Sequence, residues 1–260
     1  VQEAARDERN LLGHYVLLDL VGKGGMGSVY RAWDDTVGRI VAVKILLESS
    51  SDSVERFIRE AQMAARLRHP AIATVYEVGE IEGRHYIAMD FIEGDSLGQR
   101  PLPVGRTLEA VRDAARALQH AHDQGIIHRD VKPRNIMIDR KGAVYLTDFG
   151  LAKEVVPSSS TQLTMSGAVV GTVEYMSPEQ ARGDSRGVDF RSDLFSLGAT
   201  LYTLLAGRPP FRTENVMDTM RAIVDRKPPP LRSFNSAVSP ELEAVVEHSM
   251  AKDTAKRFPS

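Results

Sequence analysis

Near Gly94 the sequence changes texture, from β-prone runs to helical periodicity. On the N-terminal side His14 to Val21, Ser28 to Trp33 and Arg39 to Leu47 are short strand-like runs, separated by a glycine cluster at 22 to 27 and by the turn residues Asp34-Asp35 to Gly38. Val54, Phe57, Ile58, Ala61 and Ala65 then recur at helical spacing, Pro70 is expected to end that helix, and two further strand-like runs follow, Thr74 to Val78 and His85 to Ile92. This predicts a five-stranded antiparallel sheet with one helix. Beyond Gly94, Thr107 is placed to cap a helix whose apolar stripe is Leu108, Val111, Ala115 and Leu118 and which Gly125 stops. More helices are predicted from near Asp189, Thr213 and Ser239, the last with Pro240 in its first position. The fold class is α+β, with two lobes over 14–92 and 93–260, a short linker near Ile92 to Asp95, and residues 1–13 as an N-terminal extension.

A chain of 260 residues, 42% hydrophobic and 26% charged, has the composition of a globular protein and not of a disordered one. Thirty-three Lys and Arg against 35 Asp and Glu leave a net charge of -2, which gives no reason to expect a nucleic-acid partner. The absence of cysteine excludes disulfides, thiolate metal sites and thiol nucleophiles together, and fits a reducing compartment. The longest charge-free helical stretch, Leu194 to Gly207, falls short of the ~18 residues a membrane span needs and reads as a buried core helix. The chain starts at Val1 with a charged segment and no apolar stretch suited to a signal peptide, so it reads as a piece of something longer.

Four segments are candidates to carry chemistry. Gly22-Lys23-Gly24-Gly25-Met26-Gly27-Ser28-Val29 lies between two strands, where it is either a glycine-rich hairpin or a cradle whose amides approach an anion. No helix follows it, which argues against a Rossmann or P-loop site. Lys44 sits in the apolar strand Val41-Ala42-Val43-Lys44 and needs a countercharge if buried. Glu60, beside the stripe of Phe57, Ile58 and Ala61, is either that partner or a solvated helix glutamate. The octet His128 to Asn135 holds six polar or charged groups between the apolar runs Ile126-Ile127 and Ile136 to Ile138, which suggests function over stability, a surface loop being the alternative. Thirteen residues after Asn135, Asp148 heads Asp148-Phe149-Gly150, and an amide with a carboxylate suits a hard cation such as Mg2+.

Together with Gly171-Thr172, Tyr175 and Ser177-Pro178-Glu179-Gln180-Ala181-Arg182, these segments in this order resemble the eukaryotic-type Ser/Thr protein kinases, most of all the bacterial members, from about His14 to Phe258. The resemblance implies a bilobal kinase fold, ATP with Mg2+ or Mn2+ as cofactors, and protein Ser/Thr hydroxyls as acceptors. Gly22 to Val29 would cover the phosphates, Val21 would also meet the nucleotide, and Lys44, held by Glu60, would grip the α and β phosphates. Ala42 and Met137 would lie against the adenine, Met89 would guard the back pocket, and the carbonyl of Asp90 and amide of Ile92 would read the adenine edge. Asp130 would take or orient the hydroxyl proton, Lys132 would neutralise the transferred phosphate, and Asn135 and Asp148 would hold the metal ions. Thr172 would mark Ser or Thr as acceptor. Arg129 would receive a phosphate placed at Thr164 or Ser166, Asp193 would brace the catalytic loop, and Glu179 would pair with Arg257.

The resemblance further implies a cytoplasmic catalytic domain, autophosphorylation between two copies of the chain, and membrane attachment only through segments outside this sequence. Departures from the pattern are few. Asp90 replaces a commoner Glu, a change expected to matter little because the contact there is through the backbone. Phe195 replaces Trp or Tyr, Arg134 stands where some relatives carry a glutamate for substrate arginine, and the sequence ends before the family's last helix. A folded scaffold without catalysis would have lost Lys44, Asp130 or Asp148, and none is lost. A small-molecule kinase would lack the Gly171 to Glu179 segment.

Overall fold

Val16, Leu17, Val41, Val43 and Ile45 are β-branched or branched aliphatic residues that fit a pleated, covered surface, and all five are buried. They lie in a computed structural model that describes residues 10–24, 27–47, 50–99, 101–149, 173–184 and 186–260, without the side chains of Asp52, Arg56 and Glu60. The chain forms two compact units, one running to Arg68 and including Ile72–Glu93, the other made of His69–Ala71 and Gly94–Ser260.

The first unit is an antiparallel sheet of six strands in the order β1-β2-β3-β4-β6-β5. They are β1 (Leu11–Leu12), β2 (Tyr15–Lys23), β3 (Gly27–Asp34), β4 (Arg39–Leu46), β5 (Val75–Ile81) and β6 (Arg84–Asp90). The five-strand expectation is therefore one short. Leu11 and Leu12 double back through Gly13, whose φ of +59° suits glycine, to pair with Val16 and Tyr15. The fully buried Leu12 joins Tyr15, Leu17, Val43 and Tyr86 in the sheet core. A two-residue strand has no period to read, and the expected extension 1–13 thus contributes its last residues to the sheet. Helix α1 (Ser51–Ala64) is capped by Ser50 and buries Phe57 and Ala61. It ends well short of Pro70, which is not its terminator.

In the second unit α2 (Val104–Asp123) begins behind Pro103 and not at Thr107. Thr107 is buried one turn in, where its hydroxyl donates to Pro103 O at 3.2 Å, so it serves the helix from inside. Gly125, at φ +73°, follows the helix end as expected. A small sheet joins β7 (Gly94–Ser96), β8 (Ile136–Asp139) and β9 (Val144–Leu146), of which only β9 shows as a strand-like run in the sequence, at Ala143 to Leu146; β8 follows Asn135 and β9 precedes Asp148. The short α3 (Pro178–Ala181) starts in a Ser177/Gln180 capping box. Next come α4 (Phe190–Ala206, capped by Asp189), α5 (Val216–Asp225) and α6 (Pro240–Ser249, capped by Ser239). The start of α5 lies later than Thr213 because Asn215 is the cap, while Thr213 bonds Thr219 across the first turn. Among the described residues no helix is long and apolar enough to cross a membrane.

Candidate active site

In the first unit, β2 and β3 form the glycine hairpin, with Gly22 opposite Val29 and Lys23 opposite Ser28, closed by Gly24 N–H donating to Gly27 O at 2.9 Å. Two of its glycines have different reasons to be there. A Cβ on Gly27 would collide with the carbonyl oxygen of Ile45, so packing alone demands glycine, whereas a Cβ on Gly22 would meet nothing within 4 Å. Gly22 is therefore spare for packing and open to another use. Val21 is more than half exposed beside it. The expected site residues Gly25 and Met26 lie outside the described residues.

Lys44 is 8% exposed in the middle of β4, opposite Val29 on β3 and Ile87 on β6. Glu60 lies in α1, but its side chain is outside the described residues. Ala42 pairs with Met89, and the β4–β6 ladder ends at Asp90 opposite Val41, with Ile92 just beyond. The side chain of Asp90 is engaged as well as its backbone. Its Oδ2 accepts from Thr74 N–H at 2.8 Å, and its Oδ1 accepts from the Tyr76 hydroxyl.

In the second unit, the octet becomes a loop supported from below. Asp193 is fully buried in the first turn of α4, and its carboxylate accepts from His128 N–H at 2.8 Å and Arg129 N–H at 2.7 Å and meets His122 Nε2 at 2.8 Å. Arg129 O in turn accepts from Gln180 Nε2 at 2.8 Å. Held on both sides, Arg129 adopts φ +65°, a left-handed backbone rare for a residue with a Cβ, and its side chain is exposed. His128 is fully buried. It accepts from Asp130 N–H through Nδ1 at 3.3 Å, which leaves Nε2 to donate to Thr147 O at 3.0 Å.

These supports bring three predicted residues together. Lys132 Nζ lies 2.6 Å from Asp130 Oδ2, and Asn135 Nδ2 donates to the same oxygen at 3.1 Å and to Asp130 O at 2.8 Å. Thr147 then ties in the last piece: its N–H donates to Asn135 O at 2.9 Å, so Asp148 follows directly from a residue bonded to Asn135. Asp148 has φ +59°, a second left-handed position at the site. Met137 lies on β8 between Ser96 and Tyr145. Thr172, Thr164 and Ser166 are outside the described residues.

The donor set fits a divalent cation. Asn135 commits its amide nitrogen to Asp130, which turns its oxygen, the atom a hard cation takes, the other way. Among the described residues no three His, Cys, Asp or Glu gather into a metal site. Two oxygen ligands supplemented by phosphate, as Mg2+ prefers, is the arrangement this chemistry allows.

Two supports were not legible as such in the sequence. Gln180 could have been found from the Ser-x-x-Gln capping pattern, although nothing local says that its amide reaches Arg129. His122 in the last turn of α2 gives no signal. The pair of Glu179 and Arg257 is as expected, with contacts of 2.7 and 2.8 Å, and Ser192 Oγ adds a third hydrogen bond to Glu179 at 2.6 Å.

What the second unit builds around Asp130 is a phosphoryl-transfer loop of the protein-kinase type, and the match of residues 15–259 to the protein kinase domain shows that the chain belongs to that family. Its relatives place it in the Ser/Thr branch. It is 42% identical over 261 residues to serine/threonine-protein kinase PknB of Mycobacterium leprae, covering 96% of this chain and 41% of that protein. It is 37% identical to serine/threonine-protein kinase PrkC of Bacillus subtilis, covering 96% and 39%. The crystal structure of the Mycobacterium tuberculosis PknI kinase domain superposes with a TM-score of 0.75 at 32% identity, covering 95% of this chain and 91% of that one. The chain spans about two-fifths of the length of the curated relatives it matches. Family membership implies ATP, a divalent metal and protein substrates.

Proposed function

We propose that the chain transfers the γ-phosphate of ATP, with Mg2+ or in its place Mn2+, to Ser and Thr hydroxyls of proteins. The convergence of Lys132 and Asn135 on one oxygen of Asp130 carries this reading. It leaves the other carboxylate oxygen for a substrate hydroxyl and sets a positive charge where the transferred phosphate must pass. Asp130 orients the hydroxyl and takes its proton, and Lys132 steadies the charge on the moving phosphoryl group. Asn135 and Asp148 would hold the metal, which supplies charge neutralisation on the phosphates when bound. Lys44 holds the α and β phosphates, the hairpin from Val21 to Val29 covers them, Ala42, Met89 and Met137 bound the adenine, and Asp90 and Ile92 read its edge. Glu60 holds Lys44, and Thr172 selects Ser and Thr. The lobes 14–92 and 93–260 are the nucleotide and catalytic halves. The catalytic domain works in the cytoplasm. Transfer from radiolabelled ATP to a generic Ser/Thr acceptor tests the reading.

Activation rests on Arg129, whose pinned backbone presents an exposed guanidinium. A phosphate on Thr164 or Ser166 adds about -1.5 to -2 charges, enough to pair with it. One copy of the chain phosphorylates another. Mass mapping after incubation with MgATP is expected to find Thr164 and Ser166 modified first. Phosphate confined to Ser158 to Ser160, with Thr164→Ala/Ser166→Ala fully active, would count against this.

Substrate choice rests on Arg134, exposed in the short helical turn Pro133–Asn135. The nearby buried Glu174 is already met by Arg212 Nε at 3.2 Å. Burial raises the Glu174 carboxyl while Arg212 and Arg134 lower it, so two guanidinium groups share one acid. A substrate arginine here meets surplus positive charge and is expected to be disfavoured roughly fivefold two or three residues before the acceptor. A positional-scanning peptide library on wild type and Arg134→Glu checks this, and an arginine preference in the wild type would sink it.

A further inference from the structure

Asp90 is the last residue of β6, and the strand pairing around it is irregular in an informative way. Between β5 and β6 the register runs Val75 to Met89 and then Glu77 to Ala88, so Tyr76 is the extra residue of a β-bulge. A bulge re-aims a side chain. Here it sends the Tyr76 ring along the sheet end, where its hydroxyl donates to Asp90 Oδ1. Arg39, the first residue of β4, lays its guanidinium over the same ring at 3.5 Å from the centroid. Among the described residues the buried Arg39 Nε has no hydrogen-bond partner, and the guanidinium stacks on the Tyr76 ring. The other oxygen of Asp90 accepts from Thr74 N–H at 2.8 Å, while Asp90 N–H donates to Thr74 O at 2.9 Å.

The Asp90 carboxylate thereby ties the end of β6 to the start of β5, and the Tyr76 ring carries the contact on to the start of β4. Asp90 has its amide and its side chain both fixed to the start of β5, which settles φ and χ1 and leaves ψ as the chief freedom of its carbonyl. Burial and the bond to Asp90 both raise the Tyr76 hydroxyl above the ordinary phenol range, so it stays a donor at physiological pH.

We propose that the Asp90 side chain, latched by Thr74, Tyr76 and Arg39, is a positioning residue that aims the Asp90 carbonyl at the adenine amino group and so sets base selectivity. This rests on the reading that the Asp90 backbone meets the adenine edge. The test compares binding of ATP with that of purine riboside triphosphate, which lacks the 6-amino group, to the whole chain. The wild type is expected to favour ATP about three- to tenfold, the worth of one neutral hydrogen bond. Asp90→Ala should bring the ratio below about twofold, and Tyr76→Phe, which keeps the ring under Arg39, should fall between. A change in stability alone would weaken both nucleotides together and leave the ratio where it was. If Asp90→Ala does not fold, Tyr76→Phe decides the matter by itself. A wild type that discriminates while the variants discriminate equally overturns the latch and spares the reading. A wild type that does not discriminate overturns both.

Discussion

Asp130→Asn is expected to fold as the wild type does and to lose nearly all phosphoryl transfer. The carboxylate accepts from Lys132 at 2.6 Å and Asn135 at 3.1 Å through one oxygen. An amide in its place can offer oxygen to those donors only by turning its NH2 towards the substrate hydroxyl, which then faces a donor and has no base. The loss should be about 10²- to 10⁴-fold in turnover at saturating ATP. Lys44→Met removes one positioned cation and should cost about 10²- to 10³-fold. Initial rates with radiolabelled ATP, alongside circular dichroism as a control on folding, check both. Wild-type turnover in a folded Asp130→Asn protein would overturn the assignment.

The second large effect is on stability. Arg257→Met is expected to destabilise the second unit by about 3–5 kcal/mol, because it strips the partner from a buried carboxylate. In a chain of this size that lowers the melting temperature by roughly 6 to 20 °C. The pH dependence gives the mechanism away. For Glu179 burial acts to raise the carboxyl, and the hydrogen bonds from Arg257 and Ser192 more than offset it, so the folded value lies below the ordinary one. The wild-type pair therefore stabilises the fold above the unfolded carboxyl value near pH ~4.3, and that contribution fades as pH falls through the lower folded value. Without Arg257, burial dominates and the carboxyl moves upward, so its penalty is greatest at neutral pH and is relieved on acidification. The gap in melting temperature between wild type and variant should narrow from pH 7 to pH 5. A gap that is small, or constant with pH, would show that the pair is not the support the geometry implies.

How far the sequence could be read depends on how local each signal is. Strands β2 to β6 were legible because β-prone runs are punctuated by turn residues, and Asp189, Ser239 and Pro240 announced their helices through capping chemistry that needs only neighbours. Leu11–Leu12 was not, because a two-residue strand exists only through its partner. Thr107 misled, since a hydroxyl near a helix start can serve from within the first turn as well as cap it. At the site, residue types and order identified Asp130, Lys132 and Asn135, and the fold brought them together. What sets their backbone could not be read: Asp193 was expected from the resemblance, but His122 and Gln180 reach it and Arg129 across 71 and 51 positions of chain. The side-chain contacts of Asp90 were likewise invisible, because they depend on a bulge that turns Tyr76 towards it.

The first turn of α4 joins three segments on consecutive residues. Arg191 O accepts from Arg257 at 2.9 Å, Ser192 Oγ donates to Glu179, and Asp193 holds the amides of His128 and Arg129. Fraying of that single turn would take a contact from the catalytic loop, the Pro178–Ala181 helix and the C-terminal arginine at once, which couples the opening of the three. Solvent exchange at the His128 and Arg129 amides and loss of turnover on mild destabilisation are then expected to rise together, because both loop amides rest on that helix end.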